Sequence, residues 1–440
     1  MNNNLHEELM RTVMIVPTFG RANIIAELLQ DFAELYAQYG IDIYIYDSND
    51  SDDTCEIVKH FMLSHENIFY KRLNPQIESN EKIYIAWQDF ENNIMYDYVW
   101  LCGDATRCSE AYLKMLVPYL SQNFDILVLE VPDCKTISVY NDKCKFFKDW
   151  AWLMTGYGSV VINRSSMLAK CDWDYLSRKY LNKNTLYYSQ IGLYFESLQK
   201  ISEFKGAYVG NNGSNCGLYT SSLKTATGWK TNTFNVICKS WPNTINALPS
   251  DYDEYKKNVI KFLGKRILSK SYLCLLKKEK IYNLICFFKY IARWHLVSDN
   301  SYLFMFLLAL VPRRFTDIIC FFSVRTFIDY HKELRTFLKS LKFYEEIYLY
   351  GAGKIGKRLL DLLQSHRFKV SGFIVSYKDT ETAYGYPVYD VDTMSFSENS
   401  VIILALKNDH DSIIKKLSEK VSKSQIIETN LVAVSSYYMK

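Results

Sequence analysis

The stretch from Thr12 to Thr54, TVMIVPTFGRANIIAELLQDFAELYAQYGIDIYIYDSNDSDDT, constrains the fold more than any other part of the chain. Thr12 to Val16 is a β-branched and apolar run. Pro17, with no N–H to give to a sheet ladder, ends it in the turn Pro17-Thr18-Phe19-Gly20-Arg21. Ile24, Ile25, Leu28, Leu29, Phe32, Leu35 and Tyr36 then recur at helical spacing, and Gly40 closes that helix as a C-terminal cap. Ile41, Ile43 and Ile45 alternate with other residues in a second strand that opens into an acidic loop at Asp47. Strand, helix and strand within about 35 residues make a βαβ unit, whose right-handed crossover sets the strands parallel with their carboxyl ends at one edge. Thr18, Arg21, Asp47 and Asn49 therefore share that edge.

These residue types suit a nucleotide-sugar. A carboxylate such as Asp47 can accept from a base N–H or a ribose hydroxyl, and the free N–H groups of the turn, with Arg21, face a diphosphate. The order PTFGR, amphipathic helix, apolar strand, DSNDSDDT resembles the start of a GT-A glycosyltransferase of the family 2 type, whose usual pattern is P-T-[FY]-N-R followed by D-D-G-S-x-D-[DN]-T. The departure is Gly20 in the place of asparagine. The resemblance implies an α/β fold with a GT-A domain, and puts Pro17, Thr18, Gly20, Arg21, Asp47, Asn49 and Gly103 on the nucleotide-sugar. Ser51, Asp52 and Asp53, just before a helical pattern, read as caps.

A second piece of the same edge is Tyr98-Val-Trp-Leu-Cys-Gly-Asp-Ala-Thr106, a buried strand running into the single carboxylate Asp104. In the family this place holds a D-x-D type motif for Mg2+ or Mn2+, which neutralises the sugar-nucleotide diphosphate. With Gly103 and Ala105 flanking the lone acid, three readings stay open. Asp104 holds the metal largely alone, the diphosphate charge falls to Arg21, Lys82 or Arg107, or Asp104 caps a helix. Inverting transfer also needs a carboxylate base on the acceptor side. The family's Glu-Asp pair aligns with Ser189 and Gln190 in Leu186 to Lys200, so Glu196 is the nearest acid, with Asp149, Asp172 and Asp174 as competitors. Trp150, Trp152 and Tyr157 read either as a sugar platform or as core. The glycine-bearing segment Gly206 to Leu218 reads as a lid over the donor.

Three domains are expected from these pieces, residues 1–250, 251–343 and 344–440. The 49% hydrophobic content gives ample core material, and a net charge of +4 is too small to argue for nucleic acid. Eleven scattered cysteines without C-x-x-C pairs point to reduced thiols in the cytoplasm, and the amino terminus shows no signal peptide. Over residues 255–345 basic residues outnumber acidic ones roughly three to one, between apolar runs such as Tyr302 to Val311 that fall short of the roughly 20 residues a bilayer span needs. That suits helices lying on an anionic membrane surface at the inner face of the cell membrane, or a packed helical linker. The last segment carries Gly351-Ala-Gly-Lys-Ile-Gly356 between a strand and a helix, a G-x-G-x-x-G turn of about four strands' context, and resembles small Rossmann-like domains. Ser376 stands where a ribose-binding acid is expected. Together the resemblance implies a glycosyltransferase taking a nucleotide-sugar, UDP-linked, to a glycan or lipid-linked glycan acceptor of a surface polysaccharide, with room for a homo-oligomer. The alternatives are a catalytically inactive scaffold and an NAD(P)-dependent oxidoreductase working through the carboxyl-terminal unit.

Overall fold

The computed structural model describes residues 10–129, 137–210, 217–221, 223, 230–316, 334–376, 378, 380–405 and 410–428. The chain divides into two compact units, Met1–Leu268 with Phe288–Asp299, and Ser269–Phe287 with Asn300–Lys440.

In the first unit the chain begins β1 (Thr12–Thr18), α1 (Ala22–Gln38), β2 (Ile41–Asp47), α2 (Thr54–Met62), β3 (Ile68–Arg72), α3 (Ser79–Glu91) and β4 (Tyr98–Leu101). It continues β5 (Thr106–Cys108), α4 (Glu110–Leu120), β6 (Ile126–Leu129), β7 (Ser138–Tyr140), α5 (Lys143–Trp150), β8 (Val160–Asn163), α6 (Arg164–Met167), α7 (Trp173–Tyr180), α8 (Ser189–Gln199), β9 (Gly206–Val209) and β10 (Leu218–Thr220). Eight strands form one sheet in the order β3-β2-β1-β4-β8-β6-β9-β7, and β5 pairs with β10 separately. β1 lies parallel to both β2 and β4. Val13, Met14, Ile15 and Val16 are all fully buried, as a central parallel strand covered on both faces requires. Met14 and Val16 join the core cluster that takes Ile25, Leu28 and Leu29 from α1 and Tyr112, Leu113 and Leu116 from α4.

β1 runs through Pro17 to Thr18 instead of stopping at the proline. The carbonyl of Ile15 accepts from the Cys102 N–H on the β4 side, and Pro17, two residues on, faces the same way. β4 has already ended at Leu101, so the missing proline N–H costs no ladder bond. Gly40 closes α1 as expected, at φ +68°, where its N–H donates to the Ala37 carbonyl.

The second unit holds a six-stranded sheet among the described residues, against the four or so expected. Its strands are β11 (Glu346–Tyr350), β12 (Gly372–Val375), β13 (Thr382–Ala383), β14 (Tyr386–Asp390), β15 (Ser400–Leu404) and β16 (Ile426–Glu428), in the order β13-β14-β12-β11-β15-β16. All pairings are parallel except β13 with β14, an antiparallel ribbon whose turn puts Tyr384 and Gly385 at positive φ. The helix Lys354–Ser365 follows the glycine turn, and a Cβ on Gly356 would stand 2.0 Å from the Gly351 carbonyl oxygen, so helix and strand approach as closely as they do only because residue 356 is glycine. In the same unit Lys277 Nζ donates to the Ala309 carbonyl at 2.6 Å, tying the helix Lys270–Lys278 to Tyr302–Leu310. No described helix is long and apolar enough to cross a membrane.

Candidate active site

The crossovers from β1 through β2 to β3 run outward on one side of β1, and β4 returns on its other side, so the carboxyl ends of β1 and β4 flank the point where the winding reverses. In open α/β sheets that crevice is where ligands bind. The register puts Thr18 beside Asp47, while β4 pairs with β1 only as far as Leu101 against Ile15. The segment Cys102–Asp104 then carries on beside the end of β1.

Here four of the sequence-predicted residues meet. Thr18 Oγ1 donates to Asp104 Oδ2 at 3.2 Å, and Arg21 Nη1 donates to Asp104 Oδ1 at 2.7 Å. Gly20, at φ +63°, turns the backbone so that Arg21 reaches back over the edge. Gly103 precedes Asp104 in a crowded bend, where a Cβ would stand 3.2 Å from Thr106 Oγ1 and 3.5 Å from Tyr157 Cβ. Pro17 contributes backbone only.

Asp47 shares the edge but is satisfied by protein. Its side chain is wholly buried; Oδ1 accepts from the Asn49 N–H at 2.8 Å, Oδ2 accepts from the Tyr70 hydroxyl at 2.8 Å, and Arg72 Nη2 lies 3.7 Å away. Arg72 also donates to the Asn49 carbonyl. A buried carboxylate needs such partners, and these make Asp47 and Asn49 the frame of the acidic loop. Asp52 acts as a cap, as expected: it accepts from the Ala22 N–H at the start of α1 and from the Thr54 N–H at the start of α2.

Of the three cations considered for the diphosphate, Arg107 is committed elsewhere. It is 1% exposed, donates to the carbonyls of Asp104, Thr106 and Ile24, and pairs with Glu27. Lys82, in the first turn of α3, is the opposite case. It is 4% exposed, and among the described residues its ammonium makes one hydrogen bond, to the Thr18 carbonyl at 2.5 Å, with the exposed Phe19 ring 6.0 Å away. Desolvation pulls this amine down to about 8, against the opposing pull of Asp47 and Asp104.

The acceptor half is arranged differently from expectation. The amino-terminal end of α8 packs on α3, where Ser189 Oγ donates to Asn80 Oδ1 at 2.9 Å and the Tyr84 hydroxyl donates to the Ser189 carbonyl. Next to it, Gln190 Oε1 is buried without a hydrogen-bond partner among the described residues. Glu196 lies seven residues beyond Ser189 along α8, about 10 Å at 1.5 Å per residue. Its Oε1 accepts from Lys179 Nζ at 2.7 Å, the Tyr180 hydroxyl at 2.6 Å and the Tyr175 hydroxyl at 3.4 Å. Among the described residues no hydrogen bond or ion pair joins Glu196 to Asp104. Asp172 is the N-cap of α7, accepting from the Tyr175 N–H. Trp150 stacks on Tyr208 with ring centroids 3.8 Å apart and is core, and Trp152 lies under Arg266. Residues 211–216 of the expected lid lie outside the described residues.

A hard divalent cation bound with a nucleotide takes one or two carboxylates, with phosphate oxygens and waters completing its shell. Asp104 supplies one such oxygen donor, and the described residues contain no group of three or more His, Cys, Asp or Glu that could hold a metal. The donor set fits a cation held jointly by Asp104 and the substrate's own phosphates, once Arg21 releases Oδ1.

No curated protein matches the chain. Among solved structures, TarS residues 1–349 of S. aureus is similar at 12% identity and a TM-score of 0.42, covering 74% of this chain and 92% of that one. A Pyrobaculum calidifontis mannosyltransferase solved with GDP-Man and Mn2+ is similar at 10% identity and 0.37, covering 71% and 84%. A Mycobacterium tuberculosis glucosyl-3-phosphoglycerate synthase stands at 9% and 0.34, covering 55% and 81%. Likenesses this slight carry no argument about function. Residues 13–183, which hold β1 through α7 and with them Thr18, Arg21, Lys82 and Asp104, match the sequence model of glycosyl transferase family 2. This part of the chain is thus a family 2 glycosyltransferase domain, and the protein is a glycosyltransferase.

Proposed function

We propose that the enzyme moves a sugar from a nucleotide-sugar, UDP-linked, to a glycan or lipid-linked glycan of a growing surface polysaccharide, with inversion at the anomeric carbon. One observation supports this most: Thr18, Arg21, Lys82 and Asp104 converge at the winding reversal of a family 2 domain. In this reading the Thr18 and Asn49 end of the edge receives the nucleoside, and the diphosphate lies across the Gly20–Arg21 turn. Asp104 holds Arg21 in position until phosphate oxygens compete for the guanidinium. Mg2+ or Mn2+, when bound at Asp104, would supply positive charge to the leaving diphosphate. The acceptor hydroxyl attacks from the side of α8, giving its proton to a carboxylate or water there; Glu196 serves only if it lets go of Lys179 and Tyr180.

The test is a panel of UDP-, GDP-, CDP- and dTDP-sugars, followed by nucleotide release and by calorimetry, each with Mn2+ and with EDTA. Binding and slow hydrolysis of one UDP-sugar are expected. A chain that binds none of the panel overturns the reading and leaves the scaffold alternative. The oxidoreductase alternative is disfavoured by Ser376, whose hydroxyl is hydrogen bonded to the Tyr350 hydroxyl at 2.7 Å where an acid would take a ribose.

We also propose attachment to the membrane surface from the cytoplasmic side. In the second unit Leu303, Leu307 and Leu310 share a helix face and are 67%, 44% and 53% exposed, and Arg313 and Arg314 follow directly. Apolar side chains beside exposed cations suit an anionic leaflet.

A further inference from the structure

We propose that Lys82 is a built-in counter-charge for the donor diphosphate, so that part of the charge neutralisation on the leaving group comes from the protein itself. The inference rests on the nucleotide-sugar reading above and names the residue that meets the phosphates.

Three features of the geometry carry it. The ammonium is buried and among the described residues makes a single hydrogen bond, to a backbone carbonyl, leaving two of its three N–H donors without an acceptor there. It forms no ion pair among the described residues, whereas Arg21, Arg72 and Arg107 each have a carboxylate. And the carbonyl it holds belongs to Thr18, whose hydroxyl is on Asp104, so it stands at the donor edge. A buried, unpaired charge is one of the costlier things a fold can keep. Of the other two buried lysines, Lys256, 7% exposed, pairs with Asp253 and donates to the carbonyls of Leu248 and Asn246, whereas Lys277, 6% exposed, likewise donates to a single carbonyl, that of Ala309; what sets Lys82 apart is its place at the donor edge beside Thr18. Burial lowers the affinity of the Lys82 amine for its proton, which fits a group awaiting an anion.

In the transfer, the acceptor oxygen forms its bond to the anomeric carbon as the bond from that carbon to the β-phosphate oxygen breaks. The electron pair of the broken bond goes to that oxygen, and the acceptor's proton goes to the base. Lys82 keeps its proton throughout and donates hydrogen bonds to the phosphate oxygens, an interaction stronger in the transition state because the negative charge grows there.

Lys82→Met keeps the side chain's length and removes the charge; Lys82→Arg keeps a cation. Calorimetry of the whole chain in EDTA, with UDP-glucose, UDP-N-acetylglucosamine, UDP and uridine as probes, and thermal denaturation with and without them, make the test. Lys82→Met is expected to weaken UDP and UDP-sugar binding about 10- to 100-fold, to leave uridine binding unchanged, and to raise the melting temperature of the free protein. Lys82→Arg is expected to recover part of the loss. Equal UDP affinity in wild type and Lys82→Met overturns the inference while leaving the glycosyltransferase reading intact. A lower melting temperature with uridine and UDP weakened alike shows that Lys82 only braces Thr18, and also overturns it. If the wild type binds no uridine nucleotide at all, the underlying reading falls and takes the inference with it.

Discussion

Proton uptake on donor binding follows from the position of Lys82. In the free protein burial holds this amine at about 8, well below the ordinary lysine value. A diphosphate arriving beside it favours the charged form and returns the amine toward about 10.4. At pH 8 about half of the molecules start with a neutral Lys82, so binding takes up about 0.5 proton; at pH 6.5 the figure is about 0.03. A nucleotide-sugar suits the measurement because its diphosphate is a diester, fully ionised across this range. Binding enthalpies measured in buffers of different ionisation enthalpy give the uptake directly. Asp47 and Asp104 are the charges that act on the amine in the free protein. Cys55, held below the ordinary thiol range by hydrogen bonds from Tyr70 and Arg72 despite its desolvation, is the neighbour that could also respond, so the control is Lys82→Met, in which uptake should vanish. Uptake absent at pH 8 in the wild type, or unchanged in Lys82→Met, refutes the reasoning. The same shift has a sign for stability: between about 8 and the unfolded lysine value the unfolded chain holds the extra proton, so the free protein should grow more stable as pH rises through that window.

Asp47→Ala removes the acceptor for the Asn49 N–H and the Tyr70 hydroxyl, and should lower stability by about 3 kcal/mol in urea denaturation; unchanged stability with lost nucleotide binding would instead put the carboxylate on the ligand. Glu196→Gln unpairs Lys179 and should lower the melting temperature while turnover stays within about tenfold; a loss of about 100-fold or more in kcat at unchanged melting temperature would make Glu196 the base. Asp104→Asn should abolish any Mn2+ dependence of nucleotide binding, and equal stimulation by Mn2+ in variant and wild type would place the cation elsewhere. Replacing Arg313 and Arg314 together with Gln should reduce flotation with phosphatidylserine vesicles at low salt without changing hydrolysis of a soluble donor; a wild type that fails to float with such vesicles refutes surface attachment.

What could be read from sequence was set by how local the physics is. The βαβ unit was legible because its strands, its helix and the Gly40 cap are each fixed by residues a few positions apart, and the family 2 match falls on that same stretch. Asp104 was legible as a lone carboxylate at a strand end, but its capture by Arg21, 83 residues away, depends on β4 lying next to β1. Asp47 shows the limit most plainly. As a strand-end acid before an acidic loop it reads as a ligand contact, yet the parallel register sets Asp47 opposite Arg72, and that pairing brings Tyr70 and Arg72 to satisfy it internally. Lys82 was legible as one of three cations for the diphosphate charge, but nothing within a few residues separates it from Arg21 and Arg107. Its one hydrogen bond among the described residues is to the Thr18 carbonyl 64 residues away, and α8 packs on the start of α3 through Ser189 and Asn80. Residues that bind across a sheet edge owe their state to strand order and register, and there a charge without a partner is more informative than a motif.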